Sequence, residues 1–125
     1  MKQRIHEKAA TPQTLKALDI LRPLPFLKDF YLAGGTALAF MEGHRVSVDL
    51  DFFSAANKLG FTAREAIKEE IRAQSPLRVR EEKDGTLHVD VGGTAVSFFR
   101  YSYPLLKRPL AWRGVRLARA EDIGL

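Results

Sequence analysis

Two tight-turn dipeptides bracket the segment Thr86–Val91: Asp84-Gly85 precedes it and Gly92-Gly93 follows it. Such pairs supply the positive-φ positions that short hairpins require, and each lies between runs rich in Val, Thr and aromatic residues. The chain from Leu77 to Tyr101 is therefore expected to form a three-strand meander of Leu77–Lys83, Thr86–Val91 and Thr94–Tyr101. A two-residue turn at Gly92-Gly93 also sets the pairing, with Val91 opposite Thr94, Asp90 opposite Ala95 and His88 opposite Ser97. Asp90, His88 and Ser97 then share one face of the sheet.

Other elements follow from local signals. Thr11-Pro12 reads as an N-cap and first helical residue, opening a helix to about Leu21 with Leu15, Leu18 and Leu21 on one face. Arg22-Pro23-Leu24-Pro25 ends it. Phe30 to Ala33 reads as a short strand, Thr36 to Met41 as a helix, and Ser47 to Phe53 as a strictly alternating strand. Thr62 with Glu65 reads as a capping box that starts a helix to about Gln74. A last small hairpin joins Leu110–Trp112 to Val115–Leu117 through Arg113-Gly114. Helices interleaved with strands, followed by a run of strands, imply an α+β or α/β sheet with helices on one face.

At 125 residues the chain is long enough for one domain and one core. It contains no cysteine, which excludes disulfides, thiolate metal sites and cysteine nucleophiles. No apolar run reaches the length of a membrane span, and Met1 to Thr11 is polar and basic, so a cytoplasmic location is expected. The formal net charge is +5, concentrated between Val91 and Ala120, where no Asp or Glu occurs. Phe98, Phe99, Tyr101, Tyr103 and Trp112 lie among the basic residues there. That mixture suits phosphate contacts and base stacking, although a solvated basic rim beside core aromatics is the plainer reading.

Asp49 and Asp51 stand two residues apart on the alternating strand, so their side chains share a face. Carboxylates held side by side repel, and a divalent cation resolves the repulsion. Mg²⁺ is commonly held by one or two carboxylates together with substrate phosphates. Upstream, Gly34-Gly35 follows a strand and opens a helix, an arrangement that offers backbone N–H groups to a phosphate, with the Thr36 hydroxyl as a further donor. The two features together describe a site for a metal-bound nucleoside triphosphate.

The string "FYLAGGTALAF…GHRVSVDLDFF" resembles the AbiEii/AbiGii toxin family of nucleotidyltransferases, within the DNA polymerase β-like nucleotidyltransferase superfamily. "VSFFRYSYPLL" and "GVRLARAEDI" are similar to later stretches of that family, so the likeness spans roughly residues 15 to 125. The resemblance implies a mixed, twisted sheet with helices packed on it, forming a single nucleotidyltransferase-like domain over 1–125. It implies an NTP substrate, Mg²⁺ or Mn²⁺ as cofactor, and transfer of NMP to a nucleic acid, tRNA among the candidates, or to a protein. It also implies a toxin role with a cognate antitoxin as partner. Carried over by residue, Gly34, Gly35 and Thr36 hold the triphosphate, Arg45 steadies a phosphate or pairs with an aspartate, and Asp49 and Asp51 hold the metal. His44 is read as a structural hydrogen-bonding residue.

Two departures accompany the resemblance. The family's third carboxylate falls where this chain has Ser97, within Val96-Ser97-Phe98; the register above offers Asp90 as a catalytic replacement, one rung displaced, with a plain surface role for Asp90 as the equal alternative. The family usually continues past "EDI" into a helical region, whereas the sequence here ends at Gly124-Leu125, which is expected to mean a natural minimal form, an oligomer that completes its cleft from a neighbour, or a truncated remnant. These departures support an alternative expectation, a nucleotidyltransferase-fold relic that binds nucleotide or a partner protein without turning over.

Overall fold

A computed structural model describes residues 12–33, 49–101, 110–112 and 115–117, the last two segments as backbone only. Helix α1 (Pro12–Leu21) leads into a 3-10 turn (Pro25–Asp29), strand β1 (Tyr31–Ala33) and strand β2 (Leu50–Ser54). Helix α2 (Phe61–Arg72) follows, then β3 (Leu77–Lys83), β4 (Thr86–Val91), β5 (Thr94–Arg100), β6 (Leu110–Trp112) and β7 (Val115–Leu117). The strands form one mixed sheet in the order β3-β4-β5-β2-β1-β7-β6. β2 runs parallel to β5, and β1 parallel to β7; the remaining neighbours are antiparallel. No helix among the described residues is long and apolar enough to cross a membrane.

The meander expected from the turn dipeptides is present, with Val91 opposite Thr94, Asp90 opposite Ala95 and His88 opposite Ser97. Gly92 and Gly93 both take positive φ, +57° and +83°, as a type I′ turn demands. That turn also meets the start of α1: Gln13 Nε2 donates to the Gly92 carbonyl, and Thr94 Oγ1 donates to the Gln13 carbonyl.

Both helices pack on one face of the sheet. α1 contributes Ala17, Leu18 and Leu21, while α2 contributes Ile67 and Ile71. They meet Leu32, Leu50, Phe52, Leu87, Val89, Val91, Val96 and Phe98, the inward residues of the central strands. Alternation explains the selection, since every second residue of β2, β4 and β5 is buried. Phe98 lies at the centre, with ring centroids 5.5 Å from Phe26, 5.4 Å from Phe30 and 5.5 Å from Phe52. The inward face of α1 is Thr14, Ala17, Leu18 and Leu21, leaving Leu15 only half-buried.

The capping box at Thr62 and Glu65 is not formed. The helix begins at Phe61 after Gly60, with no side-chain cap. Glu65 instead accepts a hydrogen bond from Lys68 Nζ at 3.1 Å. Lys68 is buried against the sheet edge and draws carboxylates to itself, because a buried cation without a partner is costly. Glu82 from β3 completes the group, accepting from Lys68 Nζ at 2.7 Å and from Arg64 Nε at 3.0 Å. The hydrogen bond from Lys68 is the main cause holding the Glu82 carboxyl below its ordinary range, and the same bond holds the Lys68 amine above its own. Arg64 also donates to the Leu59 carbonyl at 2.7 Å, which ties the β2–α2 connection to the β3–β4 hairpin.

Candidate functional site

The face of the sheet opposite the helices carries the polar residues. Asp51 is a Cα partner of Ser97 on β5, Ser97 is a partner of His88 on β4, and His88 is a partner of Glu81 on β3. Cα partners in a ladder present their side chains to the same side, so Asp51, Ser97, His88 and Glu81 form one row across four strands. Asp51, Ser97 and His88 are each half-buried. A second row beside it is aromatic: Tyr31, Phe53 and Phe99 stack in sequence, with centroids 6.1 Å and 5.1 Å apart.

Asp51 also pairs across the other edge of β2, with Ala33 at the end of β1. The chain that leaves β1 at Gly34 therefore departs from directly beside Asp51. Gly34, Gly35, Thr36 and Arg45 themselves lie outside the described residues, as do the expected helix over 36–41 and the start of the alternating strand at Ser47. Asp49 is described and exposed just before β2.

The carboxyl of Asp51 is pushed above the ordinary carboxylate range. Burial is the larger cause, the negative charge of Asp49 adds to it, and His88 pulls the other way. Removal from water is thus the first cause of the shift, and the nearby Asp49 charge reinforces it. Among the described residues, no cluster of three or more His, Asp or Glu side chains converges tightly enough to hold a metal ion.

Asp90 stands on the same face but one rung away, as a partner of Ala95 rather than of Ser97. Its carboxylate accepts from Arg80 Nε at 2.6 Å. Arg80 arrives there through an irregularity in the β3–β4 ladder, where the pairing shifts between Val79 and Glu81. The sequence carried a faint sign of this bulge: after Leu77 and Val79, the alternation in "LRVREEK" stops. His88 is the residue whose position says most that its sequence context did not. Its Nδ1 lies 2.7 Å from Ser97 Oγ, and its ring meets Phe99 edge-on at 5.4 Å. A cavity of about 330 Å³ on this side is lined by Arg80, Glu81, His88, Ala95 and Ser97, among others.

Comparison with known proteins agrees with this architecture. Residues 16–108 match the family model described as "Nucleotidyl transferase AbiEii toxin, Type IV TA system". An uncharacterized protein of Aquifex aeolicus (strain VF5) is 42% identical over 94 residues, covering 75% of this chain and 45% of that protein. The chain thus spans less than half the length of that relative. Among solved structures, JHP933 from Helicobacter pylori is similar with a TM-score of 0.55 at 18% identity, over 91% of this chain and 55% of that one. The solution structure of the antibiotic-resistance factor ANT(2'')-Ia is similar with a TM-score of 0.53 at 23% identity, over 89% of this chain and 64% of that one. The fold is the α+β polymerase β-like nucleotidyltransferase fold, and the chain belongs to the AbiEii nucleotidyltransferase toxin family.

Proposed function

We propose that this chain binds a nucleoside triphosphate together with Mg²⁺ or Mn²⁺ at Asp49 and Asp51 and transfers the nucleotidyl group to a hydroxyl of a nucleic acid or protein acceptor. The observation that carries the reading is the register Ala33–Asp51. Asp51, whose charge burial disfavours, thereby lies beside the last residue of β1, after which the Gly34-Gly35-Thr36 segment begins in the sequence. A cation at the two aspartates relieves their repulsion and offsets charge developing on the phosphates during displacement. Gly34, Gly35 and Thr36 then carry the triphosphate, and Arg45 contacts a phosphate. Asp90 is a further carboxylate of the same face, engaged by Arg80. In the whole protein the reaction serves a toxin, restrained by a cognate antitoxin, with tRNA one acceptor to test.

Titration calorimetry with ATP, CTP, GTP and UTP, with and without Mg²⁺, tests the reading. Metal-dependent binding that disappears in Asp49→Asn/Asp51→Asn supports it; unchanged binding in that variant refutes the site. A second reading, a chain that binds nucleotide without transferring it, draws on Ser97, an uncharged group at the position paired with Asp51. Labelled NTP incubated with bulk tRNA or protein separates the two.

A further inference from the structure

Displacement at phosphorus by a hydroxyl requires a destination for the hydroxyl's proton. The inference that follows rests on nucleotidyl transfer at Asp49 and Asp51, which leaves that destination open. Asp51 is committed to the cation, and Asp90 is both committed to Arg80 at 2.6 Å and one rung removed. Of the two other titratable residues of the row, Glu81 is exposed on the edge strand β3, three strands from Asp51, and His88 is the nearer candidate base. Ser97 stands between it and Asp51, one strand spacing of about 4.8 Å from each. The hydroxyl of Ser97 lies 2.7 Å from Nδ1 of His88, and the edge-on contact with Phe99 fixes the plane of the imidazole. Both side chains line the 330 Å³ cavity on the open face, within the range of small-molecule sites.

We propose that Ser97 and His88 form the proton relay of the transfer step. An acceptor hydroxyl held at the Ser97 end of this cavity, on the strand next to that of Asp51, gives its proton to Ser97 Oγ while the Ser97 proton passes to Nδ1 of His88. The acceptor oxygen bonds to the α-phosphorus, the bond from that phosphorus to the bridging oxygen breaks, and pyrophosphate leaves. His88 ends the step as imidazolium and returns its proton to solvent. The relay requires neutral His88 to carry its proton on Nε2, leaving Nδ1 as the acceptor. A hydroxyl at position 97 thus acts through a histidine two strands from the metal carboxylates.

The test uses the full chain and His88→Gln, Ser97→Ala and the double variant His88→Gln/Ser97→Asp. Three quantities are read: the His88 tautomer by ¹⁵N NMR, Mn²⁺-dependent ATP binding by calorimetry, and pyrophosphate release with each of the four NTPs and bulk tRNA or bulk protein. The relay predicts the Nε2–H tautomer, ATP binding within about twofold of wild type in all variants, and pyrophosphate release lowered about 100-fold or more in His88→Gln and Ser97→Ala. It also predicts recovery to within about tenfold of wild type in the double variant, whose new carboxylate accepts the proton without the histidine. A merely structural histidine would not be rescued this way. An Nδ1–H tautomer, His88→Gln turning over at the wild-type rate, or a wild type that binds ATP yet never releases pyrophosphate overturns the relay alone. A wild type without metal-dependent nucleotide binding overturns the nucleotidyltransferase reading and the relay with it.

Discussion

The two faces of the central sheet are made from the same strands and do opposite work. In β2, Leu50, Phe52 and Ser54 point inward and are fully buried, while Asp51 and Phe53 point outward and are half-buried. In β5, Val96 and Phe98 point inward, and Ser97 and Phe99 outward. The inward set is almost wholly apolar and sealed by two helices, so it supplies stability through removal of apolar surface from water. The outward set holds a carboxylate in a setting that disfavours its charge, which is a cost to the folded state. A period of two residues thus lets one strand stabilise the fold and carry, at adjacent positions, a carboxylate whose charge burial disfavours.

If that division is right, substitutions on the two faces differ in sign as well as size. Phe98→Ala removes the ring that Phe26, Phe30 and Phe52 all meet, and is expected to cost about 3–5 kcal/mol, read as a collapse of the urea midpoint. The edge of the core comes next. Glu82→Gln deprives buried Lys68 and Arg64 of their shared carboxylate, for about 2–3 kcal/mol at neutral pH. Because the folded-state pKa of Glu82 is depressed, its contribution is complete above the unfolded value of about 4.3 and is lost as pH falls through the lower folded value. Wild-type stability should decline across that acid window, and Glu82→Gln should remove this part of the decline.

On the open face the sign reverses. The folded-state pKa of Asp51 is raised, so its effect is most favourable below the unfolded value and is lost as pH climbs through the folded one. Asp51→Asn should therefore stabilise the chain at neutral pH, on the order of 0.5–1 kcal/mol by thermal melting, while abolishing metal-dependent nucleotide binding. An Asp51→Asn chain that is less stable than wild type would break the contrast between the faces. Smallest of all, Arg80→Ala should change stability by less than about 1 kcal/mol, since the Arg80 side chain is 58% exposed and its charge stays in contact with water.

Much of this arrangement was legible in the sequence because local chemistry specified it. Gly92-Gly93 fixed the β4–β5 register through two positive-φ residues, and alternation in β2 assigned Asp51 to the face away from the core. The Thr62–Glu65 pattern misled because a tertiary demand, the burial of Lys68, outweighed a local capping preference. The engagement of Asp90 by Arg80 was out of reach because it depends on a bulge, which shifts one strand against another and leaves little trace in composition. The hydrogen bond between His88 and Ser97 lay between these cases. Their shared face followed from the turn, but the 2.7 Å contact depends on ring orientation, set in part by Phe99.

The central claim is that Asp49 and Asp51 form the cation half of a nucleotide site. Calorimetric titration of Mg²⁺–NTP into wild type and into Asp49→Asn/Asp51→Asn tests it most directly, with melting curves showing that both chains are folded. The account predicts saturable binding by wild type that vanishes without Mg²⁺, and none by the folded variant. Equal binding by the two chains, or none by wild type with any of the four NTPs, would contradict it.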